Sequence, residues 1–339
     1  MMTGTKHLCW VIILIGITLL SCSGGGGRSL YEEGLQKQQE GNYSSAIELY
    51  QQVLDENKSG VWVEQAKERI LECRAMLVYF DAHTAFRDGD IDESKELRRQ
   101  AEELFYSEPD SLYLQGMYDL NDKQYEKAEL SFLKLLKDYP AVYLGYLGMA
   151  HLDFELSHFG NAIKNVDKAI RYTKREAEKA EGEELLLTLS KTLVNEPEYM
   201  DRIAQLLPAT TQNSEVFYLV GYSYNHRPEP QSDQAISFLS RGLSSQNLSK
   251  ELQANLNAEL ALAYLLEGVG DKARKYIDRA LELFPDNAEY KQLKRRIEQA
   301  IADGLKPKQK KPTEKPKEKP TSTIMGPYTK EIPIEKSGE

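Results

Sequence analysis

Asp110–Ile170, DSLYLQGMYDLNDKQYEKAELSFLKLLKDYPAVYLGYLGMAHLDFELSHFGNAIKNVDKAI, lands on itself when shifted by 34 residues. Gly116, Tyr125, Ala128, Phe132, Leu135 and Leu136 fall on Ala150, Phe159, Ala162, Val166, Ala169 and Ile170. Small residues meet small ones, and large apolar residues mostly meet large apolar ones. A period in this range marks a stacked array, in which each supersecondary unit cannot bury its apolar face alone and borrows its neighbour's. The intervals three, seven and ten from Tyr125 line one face of a helix, and a small residue at the closest approach lets a paired helix come near. The pattern therefore predicts an all-α chain, a solenoid of about six to seven helical hairpins.

The same spacing recurs along the chain. Gly41, Tyr43, Ala46, Tyr50 and Val53 form the second half of a first unit, and Gln39-Glu40-Gly41-Asn42 offers a left-handed turn position before it. Val61–Arg87 reads as one long helix. Asp88-Gly89-Asp90 breaks it, and Ile91, Ser94, Arg98 and Ala101 then occupy the key places of a degenerate second unit. Tyr43 and Tyr125 are separated by two periods and about fourteen further residues, so this unit is longer than the others. Arg171–Glu184 reads as a charged continuation, leading to one degenerate hairpin over Leu185–Leu207. Pro197 suits the start of its second helix. Later units hold Phe217, Val220, Gly221, Tyr224, Ala235, Leu239 and Gly242, then Leu260, Ala261, Tyr264, Gly270, Ala273, Ile277 and Ala280. Asn287–Ile301 is a charged last helix, the polar cap that an open-ended array needs.

Phe217-x2-Val220-Gly221-x2-Tyr224 resembles the first-helix signature of the tetratricopeptide repeat (TPR), and Tyr125, Ala128, Phe132 and Pro140 resemble its second half. That resemblance implies a TPR-like solenoid with a C-terminal capping helix. It also implies that first helices line a groove for a peptide or partner helix. Carried over by position, the groove candidates are Tyr113, Met117 and Leu120; Leu147, His151 and Phe154; Tyr218 and Tyr222; and Leu262 and Leu265. The family scaffolds many unrelated processes, so the resemblance names no partner.

Leu8–Leu20 is an uncharged run preceded by Lys6, too short to span a bilayer as a helix, which takes roughly 20 residues. Leu19-Leu20-Ser21-Cys22 resembles the lipobox of bacterial lipoproteins. The resemblance implies that residues 1–21 are removed as a signal peptide and that Cys22 becomes the lipidated N-terminus. Acyl chains contribute about 0.8 kcal/mol per buried methylene, and two or more give stable anchoring. Ser23 follows the cysteine where an aspartate would mark inner-membrane retention, so the expected site is the outer membrane, facing the periplasm. Of the three cysteines, Cys9 lies in the signal and Cys22 takes lipid, which leaves Cys73 as a buried core thiol. Residues 22–28 then read as lipid attachment plus a Gly-rich tether, 29–303 as the repeat domain and 304–339 as a disordered tail.

Net charge is −10, which does not favour a nucleic-acid partner. Residues 304–339 carry nine Lys against five Glu, whereas the chain before them, Lys6 aside, holds 33 Lys/Arg against 48 Asp/Glu. The stretch KPKQKKPTEKPKEKP (306–320) has too little apolar surface to fold, and its prolines bias it to polyproline II at about 3.1 Å per residue. It suits a solubilising role, contact with anionic lipid or cell-wall polymer, or contact with the acidic body itself. TIMGPYTKEIPI (323–334) regains apolar residues suited to a short docking motif.

No metal-binding, phosphate-cradling or nucleophile-elbow motif appears in the sequence, so no cofactor, metal or catalytic residue is expected. His151 and His158 are seven apart, as on one helix face, but a third ligand is missing. The leading expectation is a non-enzymatic, membrane-anchored TPR scaffold binding other envelope proteins. The alternative is an accessory binding protein for a small ligand or transport system.

Overall fold

The computed structural model describes residues 25–56, 59–173 and 176–306; the signal segment, Cys22 and the Lys/Pro stretch from 307 onward lie outside them. Among the described residues the chain is all-α, with fifteen helices and no strand. Six tight hairpins follow in order: α1 (Gly25–Gln39) with α2 (Tyr43–Glu56), α3 (Val61–Arg87) with α4 (Ile91–Leu104), α5 (Glu108–Asn121) with α6 (Tyr125–Asp138), α7 (Tyr143–Glu155) with α8 (Phe159–Tyr172), α11 (Ser214–Asn225) with α12 (Ser232–Leu243) and α13 (Lys250–Leu266) with α14 (Gly270–Leu283). Between α8 and α11 run α9 (Glu176–Thr192) and α10 (Pro197–Thr210), the expected degenerate pair, with proline at the start of α10. The capping helix α15 (Ala288–Ala302) closes the array. This is an α-solenoid of TPR-like hairpins with a C-terminal cap.

Two expectations need correction. Gly25–Arg28 is not a tether but the first turn of α1, where amide groups lack intrahelical partners in any case and Arg28 Nε pairs with Glu32 Oε1 at 2.7 Å. Arg171–Glu184 is not one continuous helix. α8 stops at Tyr172, Thr173 is extended, and α9 begins at Glu176. The fourteen extra residues of the second unit are spent in α3, which at 27 residues outruns the others. Its first half packs with α1 and α2 around Tyr31, Tyr50, Ile70 and Cys73, while Tyr79 and Ala82 of its second half belong to the main core. Cys73 is fully buried, and burial pushes its thiol up to about 11, so it is an inert core group.

Hairpin closure depends on a small residue opposite a large one. A Cβ at Gly34 would strike the Tyr50 ring, one at Gly116 the Phe132 ring, and one at Gly221 the Leu239 side chain. Phe132 is held from both sides, because a Cβ on Gly148 of α7 would collide with the same ring. The second helices are small in turn at Ala46, Ala128, Ala162, Ala235 and Ala273, all fully buried. In the second unit Ser94 fills that place. Its hydroxyl donates to Ala82 O at 2.7 Å and lies 2.9 Å from Tyr118 Oη, so the buried polar group is satisfied.

The turns between paired helices repeat as well. Gly41, Gly89, Lys123, Ser157 and Gly268 all take positive φ, between 58° and 87°. At each, the following amide donates to a carbonyl five residues back, as from Asn42 to Lys37 and from Gln124 to Asp119. Lys123 and Ser157 hold this left-handed conformation against a Cβ penalty of roughly 1 kcal/mol. The α11–α12 turn is stretched by Pro228 and Pro230 and is held otherwise. Arg227 lies over the Tyr224 ring at 4.0 Å and pairs with Asp201 of α10 at 2.8 Å.

Lys123→Gly and Ser157→Gly are each expected to raise stability by about 0.5–1 kcal/mol in urea unfolding followed by helical ellipticity. Gly148→Ala is expected to lower it by roughly 1–3 kcal/mol, although alanine is the better helix former, because Phe132 has no free side to retreat to. An alanine at 148 that stabilises the protein would refute the two-sided clamp.

Candidate functional site

The first helix of each hairpin turns one face to its own partner and another along the stack, so a residue's exposure depends on how neighbouring hairpins are rotated. At Tyr113, Met117, Leu120 and Leu147 that face is covered: all four are buried, not groove-lining. The Tyr113 ring sits 5.1 Å from His83 of α3 and 6.3 Å from Phe132, and its hydroxyl donates to Glu181 of α9 at 2.9 Å. His151 is half-buried. Phe154 is half-buried too and spends its ring on Phe159 at 6.0 Å. His151 and His158 do not share a helix, since α7 ends at Glu155 and His158 caps α8. Among the described residues no cluster of three or more His, Cys, Asp or Glu is placed to hold a metal.

The remaining candidates converge at the C-terminal end. Asn213 starts α11 by accepting from the amides of Glu215 at 2.9 Å and Val216 at 3.3 Å. Phe217, Val220 and Tyr224 then face the core, and Tyr218, Tyr222 and His226 form a half-exposed stripe at four-residue intervals. Tyr218 and Tyr222 have ring centroids 6.1 Å apart, and Tyr222 stacks on His226 at 4.0 Å. On α13, capped by Ser249, Glu259 is fixed on both oxygens, by His226 Nε2 at 3.2 Å and by Asn225 Nδ2 at 2.8 Å. On α15, capped by Asn287, the Tyr290 hydroxyl donates to Asn255 Oδ1 at 2.6 Å.

Between α13 and α15 lies an open cleft of about 230 Å3, with Leu262 and Leu293 as its apolar walls, Glu259 and Glu289 as acids and Arg296 as a cation. Burial, then Glu259 and other neighbours including Glu289, raise the Tyr218 phenol. Burial, then Glu289, Glu251 and Glu259, raise that of Tyr290. Both phenols thus stay protonated as donors. Leu265 is half-buried and packs into the C-terminal core rather than the cleft. Glu259, Glu289 and Tyr290 escaped the sequence reading. Tyr290 sits in a helix read only as a polar cap, although its spacing to Ile297 already marks a buried stripe.

A second cleft, of about 230 Å3, lies between α4 and α5 and is lined mainly by charged groups, with Gln115 and Tyr118 among them. Its groups are spent on each other: Arg98 donates to Glu102 at 2.8 Å, Ser111 at 3.2 Å and Gln115 at 3.0 Å. Its one aromatic ring, Tyr118, already lies under the Lys95 ammonium at 5.4 Å, so it offers a partner little free apolar surface to desolvate.

No family model and no curated protein matches the chain. Among solved structures it is similar to YrrB, described as a TPR protein with an unusual peptide-binding site, at 17% identity over 53% of this chain and 88% of that one, with a TM-score of 0.34. It is similar also to the P58(IPK) TPR domain, at 13% identity over 89% and 86% with a TM-score of 0.30. A third is PilF of Pseudomonas aeruginosa, at 14% identity over 81% and 99% with a TM-score of 0.31. TM-scores of this size establish no common superhelix.

The histidines titrate with opposite signs. Burial first, then Arg87, lowers His83 to about 4, and burial lowers His151 to about 4. An unfolded histidine takes its proton near pH 6.5, so the stability each neutral ring contributes is lost as pH falls from about 6.5 towards 4. For His83 this amounts to about 3 kcal/mol. His226 is raised, first by its hydrogen bond to Glu259, so its contribution is present below about pH 6.5 and fades as pH rises through the folded value. Urea midpoints at pH 7 and pH 4.5 are expected to fall less on acidification for His83→Gln than for the parent chain. An equal fall in both would contradict a neutral buried His83.

Proposed function

We propose that this protein is a non-catalytic, membrane-anchored scaffold lipoprotein that holds another cell-envelope protein in the cleft formed by α11, α13 and α15. The observation that carries this reading is the convergence of half-exposed Tyr218, Tyr222, Leu262 and Glu259 and exposed Glu289 around the buried Tyr290 ring. Tyrosine supplies broad contact area at little entropic cost, and leucine next to it supplies the dry centre around which binding energy concentrates. Glu259 is already immobilised by Asn225 and His226, so the acid side of the cleft is organised before a partner arrives.

Support for anchoring comes from Leu19-Leu20-Ser21-Cys22 and the short apolar run before it. Among the described residues no helix is long and apolar enough to cross a membrane. The α1 helix starts three residues after Cys22, which would set the first hairpin close to the bilayer. The proposed location is the outer membrane, facing the periplasm, with assembly of an envelope complex as the process served.

Two outcomes test this. Tyr218→Ala with Tyr222→Ala, helical content unchanged, is expected to cut recovery of cross-linked envelope protein from intact cells at least tenfold. Undiminished recovery would remove the cleft from the proposal, and a bound small molecule without any protein would favour an accessory ligand-binding role instead. Cys22→Ser is expected to shift the protein from the detergent-extracted membrane fraction to the soluble one. Persistence as an integral membrane species would refute lipid anchoring.

A further inference from the structure

The starts of α1 and α3 lie at one end of the array, because both helices run antiparallel to α2 and so share a direction. Tyr31 of α1 meets Trp62, in the first turn of α3, with ring centroids 5.1 Å apart. α1 begins at Gly25, so its first turns extend about 9 Å past that contact at 1.5 Å per residue, to and beyond the level of Val61. Val61 is 67% exposed there, and Trp62 is half-exposed although it packs on Tyr31. Asp90, Asn213, Ser249 and Asn287 cap their helices with a side-chain oxygen, whereas α3 starts on Gly60, which has none to offer. Charges nearby are spent locally: Arg28 pairs with Glu32 at 2.7 Å, Lys67 with Glu64 at 2.9 Å, and Asp55 accepts from Gln51 at 3.1 Å. This tip therefore presents an adjacent apolar pair without a cluster of cations among the described residues. Three peptide steps link Cys22 to Gly25, and however they run they reach at most about 11 Å. A lipid on Cys22 thus brings a bilayer to this end of the array.

We propose that Val61 and Trp62 rest on the lipid surface, Val61 entering the boundary between headgroups and acyl chains and the Trp62 indole lying at headgroup level. The inference rests on the lipid-anchored reading and deepens it by naming the protein surface that meets the bilayer. Tryptophan suits that depth, since its ring is apolar while its N–H finds acceptors among the headgroups. One valine and one indole carry little apolar area, so from free solution they bind a vesicle weakly. A short tether holds them at an effective concentration in the millimolar range, where weak contacts stay made. The acyl chains then fix one point and the tip a second, and the first hairpin stands at a set angle instead of swinging about Cys22. Contact of this kind is apolar and survives salt, unlike adsorption through lysines.

Fluorescence quenching of the lipidated chain in phosphatidylcholine vesicles tests this. Trp10 leaves with residues 1–21 in the lipid-anchored reading, so Trp62 is then the one tryptophan of the chain. Bromines placed high on the acyl chains are expected to quench Trp62 at least twofold, and bromines near the chain ends less. The quenching is expected to persist at 1 M salt, where the screening length is about 3 Å. Val61→Glu is expected to reduce it at least threefold with helical ellipticity and flotation with the vesicles unchanged, and Val61→Leu to retain it. A chain that floats with the vesicles while Trp62 stays unquenched would overturn the proposal and leave lipid anchoring standing. Quenching abolished by salt, or undiminished in Val61→Glu, would overturn it as well. A chain that does not float would remove lipid anchoring and this contact together.

Discussion

The fold depends on one steric condition: where two paired helices cross, one of them must carry almost no side chain. Gly34, Gly116 and Gly221 meet that condition on first helices, and the buried alanines at 46, 128, 162, 235 and 273 meet it on second helices. A helix pair brought this close buries a large residue such as Tyr50 or Phe132 completely, and a close-packed interior tolerates little change of volume at such a point. The Phe132 ring, lodged between Gly116 and Gly148, carries the condition from one hairpin into the next. Closure of the pair and stacking of the array are therefore one packing event at this position.

This condition decides what is left over for binding. Residues committed to the crossings are dry, and only what neighbouring helices leave uncovered on the first-helix face remains. In the middle of the array α9 and its Glu181 reach across to Tyr113, and that face is lost. At the C-terminal end the stripe of Tyr218 and Tyr222 is half-exposed, beside Leu262 and Tyr290. The polar bonds at this end reinforce that geometry. Asn225 and His226 tie α11 to Glu259 on α13, and Asn255 on α13 ties to Tyr290 on α15. Three helices are thus held in register by groups that also colour the cleft acidic.

The fold was legible because its packing rule repeats along the chain. Tyr125, Ala128 and Phe132 recur at fixed spacing for a steric reason, and a steric reason leaves its mark in every copy. The extra length before the third unit was legible as spacing, though not as the 27-residue α3 that absorbs it. The degenerate unit was legible as a departure, whereas Ser94 bonding to Ala82 and Tyr118 was not, since neither partner is near it in sequence. Gly25–Arg28 was misread because glycine composition signals a coil, yet the first turn of a helix tolerates it. The site was only half legible. Position in the repeat nominated Tyr218, Tyr222 and Leu262, which are half-exposed, together with Tyr113, Met117, Leu120 and Leu147, which are buried, because how neighbouring hairpins cover a first helix has no local sequence signature. Glu259, Glu289 and Tyr290 lie on two other helices, and only the folded array brings them to α11.

The central claim is that partner contact belongs to the first-helix face at the C-terminal end. A photo-activated cross-linking residue placed at Leu262 in the cleft, compared with one at Leu130, which is 69% exposed on the second-helix face of α6, tests it most directly. Irradiation of intact cells is expected to join a discrete envelope protein to position 262 and none to position 130. Equal capture at both positions, or capture at 130 alone, would contradict the account.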